Sequence, residues 1–176
     1  MESGPAFIGQ DYAMTQTTGG FTSAGLALEE QALTLPSLTM AEALELGEIA
    51  VQLARERSLA IGIEVRLLEW TVFHVSLPGS SPDFDTWMSR KARVVLATGH
   101  STIYERVLAE EQGIDWYVVK GLPEETHAIH GGGLALNVKG LGLAGILLVS
   151  GLPQVEDHLL GVDAIAEYLA RKGELA

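Results

Sequence analysis

Cysteine is absent from the chain. That excludes a disulfide scaffold and a thiolate nucleophile, and it leaves His, Asp and Glu as the side chains able to hold a metal. Basic residues are scarce: 11 Lys and Arg stand against 23 Asp and Glu, a formal net charge of −12. Nucleic-acid backbones require clustered cations, so they are not the expected partner. The single basic cluster, Arg90, Lys91 and Arg93, reads as a solvated face or a local salt-bridge set. Long apolar runs are also missing. The longest, Leu141 to Val149, is interrupted by Gly142 and Gly145 and is too short to span a bilayer. No basic stretch followed by an apolar run opens the chain, so the expectation is a cytoplasmic protein without a membrane partner.

What is present points to a folded domain. Hydrophobic residues make up 47% of 176 residues, enough for one core. Residues 1–22 are polar, rich in Gly and Thr and without periodicity, and are expected to form a flexible tail. Residues 23–176 are expected to form a single domain.

Helical character begins near Leu26 and stops before Pro36. Thr39 and Glu42 spell a capping box for the next helix. Its expected apolar face is Met40, Ala43, Leu44, Gly47, Ala50, Val51 and Ala54. Ile61 to Leu68 alternates, and Thr71 to Leu77 is rich in β-branched and aromatic residues, which predicts a hairpin turning near Glu69–Trp70. Ser81 is expected to cap a helix with Pro82 at its first position and Gly99 at its end. A shorter helix is predicted from Thr102, paired with Glu105, to Gly113. Asp115 to Gly121 reads equally as strand or irregular structure. Leu134–Val138 and Leu143–Val149 predict a second hairpin, and Pro153 opens a last helix to about Lys172, with Leu159, Leu160, Val162, Ile165, Ala166 and Leu169 as buried candidates. The order α-α-β-β-α-α-β-β-α describes an α+β fold with an antiparallel sheet flanked by helices.

Several motifs bear on chemistry. Gly140-Leu141-Gly142-Leu143-Ala144-Gly145 has dinucleotide-loop spacing, but it runs into a strand rather than a helix, so a tight turn is the better reading. His130-Gly131-Gly132-Gly133 has the look of an oxyanion loop, and bared N–H groups there would bind a carboxylate or phosphate. No G-x-S-x-G elbow accompanies it; Ser101 beside His100 is the remaining candidate nucleophile. His127 and His130, at i and i+3, would share a helical face and could ligate a metal or a haem iron, although two histidines alone do not assign a metal site. His74 reads as an ordinary sheet residue. In Asp157-His158 the carboxylate either orients the imidazole for proton transfer or simply serves the first turn of the helix.

Larger blocks carry a family resemblance. They are Leu46-Gly47 with Leu53-Ala54-Arg55-Glu56-Arg57, His74 to Gly79 with Pro82, Asp83, Asp85 and Trp87, and Arg90-Lys91 with Arg93-Val94-Val95. Gly99-His100-Ser101, His130-Gly131-Gly132 and Val149 to Gln154 with Glu156-Asp157-His158 continue in order. From about Leu28 to Leu169 the chain resembles the GlcG/HbpS-like superfamily of haem-degrading-domain proteins, in the branch that includes a yeast member. The resemblance implies a profilin-like fold, assembly from dimers into larger closed clusters, and a pocket near the dimer interface. It implies haem as a candidate cofactor, since some members bind it. Others accompany propanediol, glycerol or glycolate metabolism, or interact with chaperone-targeting machinery. Where this branch has Phe-Pro after the glycines, the present chain has Leu134-Ala135, which is expected to reshape the pocket rim.

Three functions follow as expectations. The first is a ligand-binding module holding haem or a small anionic metabolite through Trp87, Arg90, Lys91, Ser101, His127, His130 and Gly131 to Gly133. The second is a cofactor-independent lyase, isomerase or cyclase, with His100, His130 or His158 as general base and Lys91 or the glycine N–H groups steadying an enolate-like charge. The third is an oligomeric adaptor without chemistry, marked by an exposed apolar patch.

Overall fold

The computed structural model describes residues 18–174. Six helices and four strands follow one another as α1 (Ser23–Ala32), α2 (Met40–Glu56), β1 (Gly62–Leu67), β2 (Trp70–Ser76), α3 (Asp83–Thr98), α4 (Thr102–Gln112), α5 (Trp116–Lys120), β3 (Gly133–Val138), β4 (Gly142–Ser150) and α6 (Gln154–Arg171). The strands form one antiparallel sheet in the order β2-β1-β4-β3. This is the α+β order expected, with α5 added where the sequence left strand and irregular structure open. Asp115 decides that segment, because its carboxylate accepts the N–H groups of Tyr117 and Val118 at 3.0 and 3.2 Å and so caps one turn of helix.

The sheet is covered on both faces. On one, α2 and α6 bury Leu46, Ile49, Ala50, Leu160, Ile165 and Tyr168 against Ile63, Val65, Leu147 and Val149. On the other, α3 lays Met88, Ala92 and Val95 over Ile146 and Leu148. The α2 capping box forms as read, Thr39 and Glu42 each holding the other's backbone N–H. Its apolar face is rotated from the expected one: Met40 and Leu44 are partly exposed, and Leu46 and Ile49 are buried instead. Gly47 lies on the buried face as expected, and the Phe73 ring packs where a side chain would be, 2.5 Å from an added Cβ. Leu159 in α6 is likewise 40% exposed rather than buried.

Two caps differ from expectation. α3 starts at Asp83 with Pro82 before it, one residue later than predicted. α4 is capped by Ser101, whose Oγ accepts Tyr104 N–H at 3.3 Å. Glu105 does no capping; it is buried and takes the indole N–H of Trp116. Of the expected tail, residues 1–17 lie outside the described residues. Residues 18–22 do not behave as a tail: Phe21 packs edge-on against His158 and Thr22 caps α1. Among the described residues no helix is long and apolar enough to cross a membrane.

Candidate functional site

The residues that line one hollow, the one that gathers Lys91, His130 and Asp157, come from three places that meet at one end of the sheet. α3 contributes Phe84, Trp87 and Lys91, the glycine loop contributes His130 and Gly131, and the β4–α6 corner contributes Ser150, Gly151, Leu152, Gln154 and Asp157. The volume is about 220 Å³.

The loop from 121 to 132 is held onto α3 by the basic cluster. Arg90 donates to Glu124 C=O at 2.7 Å and Arg93 to Thr126 C=O at 3.2 Å, while Ala128 N–H reaches Arg90 C=O at 3.2 Å. Arg90 also lies 4.5 Å over the Trp87 ring, which meets the His130 imidazole edge-on at 4.8 Å. The Arg90 and Arg93 guanidiniums therefore position His130 by tying down its loop.

Lys91 behaves differently from its neighbours. It is buried, and its Nζ donates to Val149 C=O at 2.8 Å and to Asp157 Oδ2 at 3.1 Å. Asp157 Oδ1 accepts Leu152 N–H at 2.9 Å. Burial lowers the affinity of Lys91 for its proton and raises that of Asp157, with their mutual attraction opposing each shift. His130 is pushed down to about 4, first by burial and then by Arg106, Lys91 and Arg90, so its imidazole is uncharged at neutral pH. Its Nδ1 is buried without a hydrogen-bond partner.

The glycines serve close packing. An added Cβ at Gly131 would stand 2.2 Å from Gln154 C=O, and one at Gly132, where φ is +111°, would stand 2.3 Å from Val149 C=O. Gly131 N–H goes to Gln154 Oε1 at 3.2 Å and Gly133 N–H to Thr102 Oγ1 at 3.0 Å. The expected cradle of three bared N–H groups therefore does not form, and Gly133 is already the first residue of β3.

Other candidates fall elsewhere. His127 and His130 share no helix. His127 sits in a turn with its Nδ1 near Pro123 C=O and Thr126 Oγ1, and among the described residues no group of three or more potential ligands could hold a metal. His100 pairs with Glu30 at 2.8 Å and stacks on Tyr104. Ser101 is spent on its cap and donates its own N–H to Glu30. His158 is buried with Nε2 2.7 Å from Glu29, so Asp157 does not orient it; adjacent residues on α6 point to different sides, one to Lys91 and one to α1. Leu134 packs under α6 against Gly161 and Ala135 lies beneath α3, so neither lines the hollow and the expected change of its rim does not arise from them. The glycine-rich run 140–145 is the β3–β4 turn and the start of β4.

A sequence profile described as "Haem degrading protein HbpS-like" matches residues 38–166. The chain belongs to the HbpS-like family. A UPF0303 protein of Streptomyces avermitilis is 37% identical over 158 residues, 90% of this chain and 97% of that protein. One of Rhizobium leguminosarum bv. trifolii is 38% identical over 146 residues, covering 83% and 88%. Among solved structures, the Ybr137w protein superposes with a TM-score of 0.79 at 24% identity over 93% of this chain and 97% of that one. The PduOC:heme complex gives 0.64 at 21% over 74% and 94%. At these identities the structural likenesses establish the shared HbpS-like fold.

Phe84, Ser150 and Gln154 were not singled out as site residues from sequence, and Asp157 was raised only as a partner for His158, not for Lys91. The partners Lys91 and Asp157 lie 66 positions apart, and no local spacing links them. The one available signal was their presence in two separate blocks of the family resemblance.

Proposed function

We propose that the chain binds a compact small molecule in the hollow between Trp87, His130 and the Lys91–Asp157 pair. One observation carries this reading: two aromatic walls, an uncharged imidazole and a buried ion pair converge on the same cavity. A largely apolar lining with a few placed polar groups is the usual composition of a ligand site.

Volume and charge narrow the ligand. At about 220 Å³ the hollow lies below the ~300–1,000 Å³ of sites for drug-sized molecules. Asp157 already neutralises Lys91, so a small neutral or singly anionic metabolite fits better than a polyanion. Haem enters through the family description and the PduOC:heme relative. His130 lines the hollow with an uncharged imidazole, the form in which a histidine ligates iron. The macrocycle, however, exceeds the hollow of a single chain, and no haem step is assigned. Assembly from dimers, with the hollow near the interface, would be the route to a larger site.

A catalytic reading would use His130, whose imidazole is uncharged at neutral pH and lines the hollow with Lys91, as the general base. His100 and His158 are committed to Glu30 and Glu29. An adaptor role would use the exposed Ile114, Val118 and Val119 around α5. The cavity itself speaks for ligand binding first.

Tryptophan fluorescence titration with a panel of small carboxylates and carbonyl compounds, and separately with hemin, tests this. Saturable change with a small compound, lost in Trp87→Phe and in Ser150→Phe, is expected. A saturable Soret shift that vanishes in His130→Ala would move the reading to haem. No saturable change with either class overturns it.

A further inference from the structure

Lys91 has surroundings unlike those of the other lysines. Lys120, Lys139 and Lys172 are exposed, whereas Lys91 is 2% exposed and is one of the residues lining the hollow. A carboxyl group stands 3.1 Å away, itself anchored through its second oxygen to Leu152 N–H. Val149 C=O fixes the amine from another side at 2.8 Å. A surface ion pair would hold the lysine as an inert ammonium in water. Here both partners are dehydrated, and burial works against both charges at once, which narrows the gap between the ion pair and the amine–carboxylic acid pair.

We propose that Lys91 is an imine-forming amine, condensing with the carbonyl carbon of a small aldehyde, ketone or 2-oxo acid held in the hollow, with Asp157 as its proton partner. The inference rests on the small-molecule reading above and adds the substrate class. Asp157 takes a proton from the ammonium and frees the amine. The nitrogen pair attacks the carbonyl carbon, a C–N bond forms, and the C=O π pair moves to oxygen, which takes the proton from Asp157. Asp157 then removes a second proton from nitrogen and returns it to the departing hydroxyl, which leaves as water. The sum is ammonium plus carbonyl giving iminium plus water. The iminium carries the same single charge as the ammonium, so Asp157 ends the sequence as it began, an ionised partner to one cation. No oxidant or metal is required.

The other cavity groups suit such a substrate. Trp87 and Phe84 offer flat apolar walls, Ser150 adds a polar side chain, and His130 carries no charge that would compete for Asp157. A buried lysine free of water is the usual starting point for this chemistry.

Acetylacetone is the probe, because it is compact and its adduct with a free amine absorbs in the near ultraviolet. The full chain is incubated with it at pH 7 and the adducts are located by peptide mass spectrometry, as the mass of the diketone less one water. Lys91 is expected to be labelled several-fold faster than Lys120, Lys139 or Lys172, because burial lowers its affinity for the proton and so enlarges the share of free amine. The near-ultraviolet band should be lost in Lys91→Arg. Mapping on the unaltered chain makes the test independent of whether that variant folds. A second arm replaces the probe with pyruvate or glyoxylate and traps the imine with cyanoborohydride. Labelling at Lys91 no faster than at the exposed lysines, with no trapped adduct in the second arm, overturns the inference. If the same compounds still change Trp87 fluorescence saturably, the small-molecule reading survives that result; if they do not, both fall.

Discussion

Replacing Lys91 by Met removes the charge while keeping most of the buried stem, so lost packing is a small part of the effect. What remains is Asp157, still buried and still accepting Leu152 N–H at 2.9 Å, but with no cation at 3.1 Å. Val149 C=O also loses the donor at 2.8 Å. Stranding one member of a buried ion pair costs about 3–5 kcal/mol, a large part of the roughly 5–15 kcal/mol that holds a domain together. Adding Asp157→Asn removes the stranded charge and keeps an oxygen for Leu152, so the double variant is expected to recover at least about 2 kcal/mol. The pH dependence has a defined sign. Burial already raises Asp157, and without Lys91 it rises further. The folded Lys91→Met chain then binds more protons than the unfolded one above the ordinary carboxylate range, and its stability falls as pH rises. Urea unfolding followed by circular dichroism at pH 5 and pH 7 measures all of this. A cost below about 1 kcal/mol at pH 7, or strict additivity of the two substitutions, would refute the claim that the pair is a dehydrated, coupled unit.

His130→Gln tests the uncharged imidazole. Since His130 titrates near 4 when folded against 6.5 ordinarily, the unfolded chain binds more protons between those values; the native chain loses stability as pH falls from 6.5 towards 4, by at most about 3 kcal/mol, and the variant should lack that slope in pH-resolved unfolding. Gly132→Ala, at φ +111° and 2.3 Å from Val149 C=O, is expected to cost about 3 kcal/mol, while Gly140→Ala at φ +77° in open space should cost only about 1 kcal/mol; thermal unfolding ranks the two. Glu29→Ala leaves His158, whose Nδ1 already lacks a partner, without its bond at 2.7 Å, and should cost about 1–3 kcal/mol and speed amide exchange in α1.

The chain sequence alone determined the elements whose signals are local. The Thr39–Glu42 capping box, the glycine ends at Gly99 and Gly113, and the strand β1 each depend on signals within a few residues, and all appear where expected, although β1 is buried on both faces rather than alternately. The extended family blocks likewise pointed to the HbpS-like fold. Which histidine meets which carboxylate was decided only by tertiary structure. Glu29 and Glu30, neighbours on α1, reach different partners, His158 and His100, and Asp157 turns away from the adjacent His158 to meet Lys91. Adjacent helical residues diverge by about 100°, so sequence adjacency works against contact. The role of the glycine loop also depended on what lies against it: only the approach of Gln154 and Val149 makes Gly131 and Gly132 sites of close packing rather than an anion cradle. Side-chain pairing across dozens of residues is set by how the layers stack, and that information is distributed over the whole core rather than written at the site.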